Sequence, residues 1–162
     1  MFTEISTKKV LILGCGNVLM GDDGFGPAVI KKLQQRFNLP EYAYAEDVGT
    51  SIRGVLFDIT LLDKRPEHII VIDAVDKPGH TAGEVFEIEV DDIPETKIVD
   101  YSVHQYPTTN MLKGIQDQCG VKVSIVAGQV ASQLEEVRPG LSRPMRTAVV
   151  KAAEKVVELL KA

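Results

Sequence analysis

The stretch 10-VLILGCGNVLMGDDGFGPAVI-30 decides how the rest of the chain is read. It opens on an apolar, β-branched run that reads as a buried strand over residues 9–14. Five glycines follow within thirteen residues, Gly14, Gly16, Gly21, Gly24 and Gly26, with the acid pair Asp22 and Asp23 among them. From about Gly24 to Phe37 the apolar residues Val29, Ile30, Leu33 and Phe37 recur at helical spacing. Pro27 falls in the first turn of that helix, where a missing N–H costs little. Glycines after a strand usually let backbone amides approach a phosphate. Carboxylates in the same loop would repel one, so the loop is built either for a nucleotide or for a cation.

Downstream the alternation continues. A second strand is expected near 41–47, before "DVGTS". Ser51 is placed to cap a helix whose Ile52, Val55, Leu56, Ile59 and Leu62 form one stripe. "EHIIVIDAV" is apolar over four consecutive positions, as expected of a strand covered on both faces. "GEVFEIEV" alternates instead and reads as an edge strand with one wet face. A helix is expected from near Pro107 to just before Gly120, then a buried strand in "VKVSIVAG". Ser142 is placed to cap the last helix, with Pro144 in its first turn and Met145, Val149, Ala152, Val156 and Leu160 on one side. Strands alternating with helices predict an α/β fold in three layers: a mainly parallel, twisted sheet of about five strands with helices on both faces.

The 162 residues suit one domain over 1–162, with no repeat, low-complexity tract or linker. Composition is that of a soluble globular protein, 44% hydrophobic and 25% charged. The net charge of −5 with no basic run argues against a nucleic-acid partner. No apolar stretch reaches the roughly 20 residues that span a bilayer, and the N-terminus has no apolar signal core. The two cysteines, Cys15 and Cys119, form no pair motif and read as reduced, small buried residues of a cytoplasmic protein.

Ligands of such sheets bind beyond the carboxyl ends of the strands. Asp23 follows the first strand, Asp47, Gly49 and Thr50 the second, Asp73 ends the third, and Gly128 and Gln129 follow the last. Several acids should therefore meet on one rim. A nucleotide site would rest on Gly14-Cys15-Gly16, with Glu46 or Asp47 for a ribose, but the third glycine of the dinucleotide fingerprint is replaced by Leu19. A cation site would draw on Asp23, Asp73 and His104, two carboxylates and an imidazole that suit nickel, zinc or iron. Each has a plainer explanation. Asp23 is placed to cap the following helix, Asp73 to bond loop amides, and His104 to be an ordinary surface or core histidine. Asp76 competes with Asp73, while His68 opens a strand and His80 lies in the turn "KPGHTAG".

The motifs themselves carry a resemblance. "VLILGCGNVLMGDDGFGPAVI", "DVGT", "IIVIDAVD", "SVHQ" and "RPGLS" together resemble the hydrogenase maturation endopeptidases, over most of the chain. The specific element is Gly-x-Gly-Asn-x-Leu-x-x-Asp-Asp/Glu-x-x-Gly; its asparagine and acid pair set it apart from dinucleotide proteins. Gly49 and Thr50 match a family turn beside the site. After the last strand many relatives have a Gln-Pro or Pro-Glu step, whereas this chain reads "VAGQVASQLEEVRPGLS". With "VHQYPTTNML" this is similar to the branch serving archaeal deazaflavin-coenzyme-reducing hydrogenases.

The resemblance implies a nickel-dependent peptidase that activates another enzyme. Its substrate would be the precursor of a nickel–iron hydrogenase large subunit, already holding nickel. The protease would remove a short C-terminal extension after a His or Arg that follows the last cysteine pair. Asp23, Asp73 and His104 would be both metal ligands and catalytic residues, with nickel supplied by the substrate and no nucleotide bound. Gly14 and Gly16 would make an unobstructed exit from the first strand, leaving room for the metal-bearing partner, and Asn17 would satisfy loop backbone groups. The protein is expected to act as a monomer in the cytoplasm. Two other classes stay open: a Rossmann-like nucleotide-binding protein using the Gly14/Gly16 loop, and a nickel chaperone that cuts nothing.

Overall fold

The structure, a computed structural model, describes residues 7–92, 108–131 and 136–161. Five strands, β1 (Val10–Cys15), β2 (Ala43–Gly49), β3 (His68–Val75), β4 (Val85–Glu89) and β5 (Lys122–Gln129), form one sheet in the order β2-β1-β3-β5-β4. All neighbouring pairs are parallel except β4 with β5. Helices α1 (Phe25–Arg36) and α4 (Arg143–Leu160) pack on each other and cover one face. Helices α2 (Ile52–Thr60) and α3 (Thr108–Cys119) cover the other. The three-layer α/β architecture is the one the alternation implies.

Each layer is built by strand parity, since successive side chains point to opposite faces. Ile12, Ile70 and Ile72 face α1 and α4, where they join Phe25, Val29 and Leu33. Leu11, Leu13, Ile69 and Val71 face α2 and α3, where they join Leu56, Ile59 and Ile115. The expected stripes hold: Ile52, Val55, Leu56 and Ile59 of α2 are buried, as are Met145, Val149, Ala152 and Val156 of α4. The alternating segment is an edge strand, as expected. Ile88 is buried, while Glu87 on the opposite face lies 3.9 Å from Lys155 of α4.

Several boundaries differ from the sequence expectation, and the sheet explains why. β2 begins and ends two residues late, because Glu41 and Tyr42 form a turn whose Tyr42 carbonyl accepts from the N–H groups of Lys9 and Val10. Gly49 is therefore inside β2 and not beyond it. β3 does not end at Asp73; it runs on to Val75, paired with Gln129. β5 likewise includes Gly128 and Gln129, because the antiparallel β4 lies against it, with Val85 opposite Gly128. The first helix is divided into a 3-10 turn over Gly21–Gly24 and the α-helix proper.

The chain leaves β1 toward the β2 edge, then returns past β1 to lay down β3. The order reverses there, so a crevice opens between β1 and β3 at their carboxyl ends. β1 parts from β3 after the pair Gly14–Ile72. Asp73 is the next residue of β3, placed where its neighbour strand departs.

Candidate functional site at the sheet rim

The glycine loop is compact because it packs on itself. At Gly14 and Cys15 the register with β2 slips by one residue. Gly16 then adopts φ +146, which L side chains rarely adopt, and its N–H donates to the Gly49 carbonyl at 2.9 Å. The Asn17 side-chain oxygen accepts from Leu19 N–H at 3.0 Å, closing an Asx turn. The expectation that Asn17 serves loop backbone is met by this bond. A Cβ at Gly16 would lie 1.8 Å from the Asp23 carbonyl oxygen, and one at Gly14 would lie 2.6 Å from that of Gly26. These glycines bring the chain's own backbone together. The expected open exit, with room for a partner, is filled by the 3-10 turn and the start of α1.

The two adjacent acids have different surroundings. Asp22 is 4% exposed and accepts three hydrogen bonds from distant segments. Its donors are Ala131 N–H at 2.9 Å, Ser142 N–H at 2.6 Å and Ser142 Oγ–H at 2.9 Å. Ser142 stands at the N-cap of α4 as expected, but its hydroxyl bonds Asp22 and not its own helix. Ser51 makes no side-chain cap bond either. Asp23 lies in the 3-10 turn; its Oδ2 accepts from Asn17 N–H at 2.9 Å. It does not cap α1, whose N-cap is Gly24. Its Oδ1 is withdrawn from solvent.

Asp73 has one oxygen, Oδ1, similarly withdrawn. It shares the α2–α3 face of the sheet with Val71 and Val75. Cys15, the last residue of β1, is 2% exposed. Burial pushes the Cys15 thiol well up, and the carboxylates of Asp73, Asp23 and Asp47 push it further the same way. Cys15 is thus a protonated, inert core residue, as its context in the sequence implied, and three separate carboxylates converge on it. Asp23, Asp47 and Asp73 thus all act on one buried residue at the carboxyl end of β1. Asp76 is committed elsewhere: Gln129 Nε2–H donates to Asp76 Oδ1 at 3.0 Å, and Gln129 Oε1 accepts from Lys77 N–H at 2.9 Å.

His104, the third expected ligand, lies outside the described residues. Among the described residues no group of three or more His, Cys, Asp or Glu side chains is set to hold a metal ion. His68 is bound to Ser124 Oγ at 2.9 Å, at the start of β3 and so at the opposite end of the sheet. His80 contacts Glu84 and stacks on Phe86, with ring centroids 3.8 Å apart. Nothing in the residue pattern marks the Asp22 clasp, since an acid pair looks alike at both positions. A cavity of about 460 Å³ runs beside the rim, lined by Val18, Gly24, Ala28, Lys31, Asp47 and Leu141 among others. Neither Gly14 nor Gly16 lines it, so it is not the sealed pocket a nucleotide would need.

The fold defines a class: a doubly wound α/β protein with carboxylates near its switch point. A family model for hydrogenase maturation protease matches residues 27–159. A Methanocaldococcus jannaschii protein that bears the name hydrogenase maturation protease is 36% identical over 158 residues, covering 95% of this chain and 97% of that protein. The coenzyme F420 hydrogenase subunit delta of Methanothermobacter thermautotrophicus is 28% identical over 155 residues, covering 93% of each. The solved structure of the hydrogenase maturating endopeptidase HybD from Escherichia coli superposes with a TM-score of 0.74 at 25% identity, covering 94% of this chain and 92% of that one. The chain belongs to the hydrogenase maturation protease family, and is an enzyme of the peptidase class. Among the described residues no helix is long and apolar enough to cross a membrane.

Proposed function

We propose that this protein removes the C-terminal extension of a nickel–iron hydrogenase large-subunit precursor, and that Asp23, Asp73 and His104 meet the nickel which that precursor brings. The observation that supports the proposal is that Asp23 and Asp73 both act on the buried Cys15 at the end of β1, and each has one oxygen drawn out of water. Two carboxylates and an imidazole form a donor set suited to a borderline divalent cation. When bound, such a cation polarises a carbonyl and acidifies a water. The chain's own share is to orient and to move a proton. Asn17 N–H donates to one Asp23 oxygen and so holds the orientation of the carboxylate. Either Asp23 or Asp73 has the chemistry of a general base toward an attacking water. The relative from Methanothermobacter supports the archaeal deazaflavin-reducing branch as the source of the substrate.

A nucleotide reading is disfavoured by the loop itself. Its glycines are spent on backbone packing, and three carboxylates surround Cys15 where a pyrophosphate would lie. The test is to incubate nickel-loaded and nickel-free precursor with the protein and read the C-terminal mass. The expected outcome is a shortened chain from the nickel-loaded form alone. Asp23→Asn and His104→Ala should each lower the rate by roughly a hundred-fold or more, as losses at catalytic metal and charge-stabilising groups do. An unshortened precursor that has nevertheless gained nickel would make this a chaperone. Full activity in both variants would remove the three-residue site.

A further inference from the structure

Next to the rim cavity lies a second one, of about 410 Å³, bordered by Arg138, Pro139, Ser142 and Arg146. Gly140 and Leu141 line both, so the two cavities adjoin across that short segment. The first begins beside Asp23, at Gly24 and Asp47, and its floor is made of small residues such as Gly21 and Ala28. The second has a different charge. Its only acid is Asp22, whose two oxygens already serve three donors. What remains is two guanidinium groups on a chain whose net charge is −5.

Both arginines are held in place. Arg138 is bridged to the glycine loop by its own backbone: Gly21 N–H donates to the Arg138 carbonyl at 2.7 Å, and Arg138 N–H to that of Leu19 at 2.8 Å. Arg146 donates from Nη1 to the Leu141 carbonyl at 2.9 Å. Neither makes an ion pair among the described residues. Arg146's fork is thereby fixed from behind, Arg138 is placed through its backbone, and a guanidinium fork is suited to a carboxylate.

We propose that the two cavities form one track for the extension cut from the precursor, with the free C-terminal carboxylate of that extension held between Arg138 and Arg146. This rests on the endopeptidase reading above. The track starts at the acids that would flank the scissile bond and ends at the cations that would take the chain terminus. An extended peptide advances about 3.3–3.6 Å per residue, so a short segment spans such a path. The terminus is the one group every such extension carries, whatever its side chains. Binding it would give the extension a second anchor, beyond the cut.

The test uses the whole protein and a fluorescent peptide with the sequence of the precursor's extension, made as the free acid and as the C-terminal amide. Anisotropy titrations should find the acid bound roughly ten-fold or more tighter than the amide, the scale of a charge-assisted pair left unpartnered. Arg138→Gln with Arg146→Gln should abolish that difference, while Arg143→Gln, exposed but outside the cavity, should keep it. In precursor cleavage the double variant should raise KM with kcat nearly unchanged. Equal binding of acid and amide, no binding of either, or an unaltered preference in the double variant would overturn the track. If the acid preference and its arginine dependence hold but no precursor is cut, the subsite stands and the endopeptidase reading falls.

Discussion

At the scale of single residues, two neighbouring aspartates have different surroundings, and the proposal above gives them different roles. The side chains at 22 and 23 project differently from a tight 3-10 turn. One is driven inward against Ala131 and Ser142, the other toward the crevice. Asp22→Ala strands three donors in a site nearly closed to water, which should cost about 2–4 kcal/mol, since hydrogen bonds to charged groups contribute roughly 1.5–3 kcal/mol each and are not additive. Urea denaturation of the purified variant checks this; a loss under about 0.5 kcal/mol, the scale of an ordinary surface change, would deny the clasp. His68 gives a pH signature. Burial holds its imidazole below the ordinary value, and Lys122 acts in the same direction while Glu87 opposes. As pH falls below about 6.5 the unfolded chain takes up the proton first, so this contribution to stability is complete above that value and is lost on acidification. Replacing His68 by Gln should flatten the rise of the urea midpoint between pH 5 and 7. Parallel curves for the two proteins would show that His68 does not contribute.

At the scale of elements, the places where strands end decided what the sequence could disclose. The apolar run of β3 marked a buried strand clearly, but not that β4 and β5 would carry it to Val75. Asp73 was therefore legible as a rim acid without being a strand end. Its exposure to the crevice comes from β1 leaving early, a fact of pairing and not of local pattern. The glycines of the loop were legible as a special turn, yet their purpose depended on what packs over them. Gly26 and Gly128 make that purpose testable. A Cβ at Gly26 would lie 2.2 Å from the Cys15 carbonyl oxygen and 2.7 Å from that of Ile72, both rigid strand backbone. A Cβ at Gly128 would meet the Phe25 ring at 2.6 Å, and a ring can turn. Gly26→Ala should thus prevent α1 from seating on the sheet and give little soluble protein. Gly128→Ala should fold with a loss of about 1–3 kcal/mol, the usual cost of overpacking. Measured midpoints in the reverse order would contradict this account of how α1 docks.

At the scale of the whole molecule, the site is an assembly of distant parts held by the sheet. Asp23 and Asp73 are far apart in the chain, and both act on Cys15 because β1 and β3 are neighbours across the switch point. The strand and helix order was enough to place both acids at the carboxyl end of the sheet. It was not enough to foresee the clasp from Asp22 to α4, which closes the loop over the sheet end through side-chain bonds that no periodicity encodes. The same layout bears on where the metal belongs. The proposed donors are two carboxylates and one imidazole, with no thiolate among them. A site without thiolate holds a borderline cation loosely, so a nickel checkpoint works only if the metal arrives with the substrate. A ligand stabilises a fold by RT ln(1 + [L]/Kd), so nickel at its own Kd adds only about 0.4 kcal/mol, while nickel at a hundred times Kd adds about 2.7 kcal/mol. Urea unfolding of the free protein in about 0.1 mM nickel should shift by no more than the first of these. The small shift that does occur should vanish in His104→Ala. A shift near the larger figure, also lost in His104→Ala, would instead make nickel a resident of this enzyme, and cleavage of a nickel-free precursor by the loaded protein would then be expected.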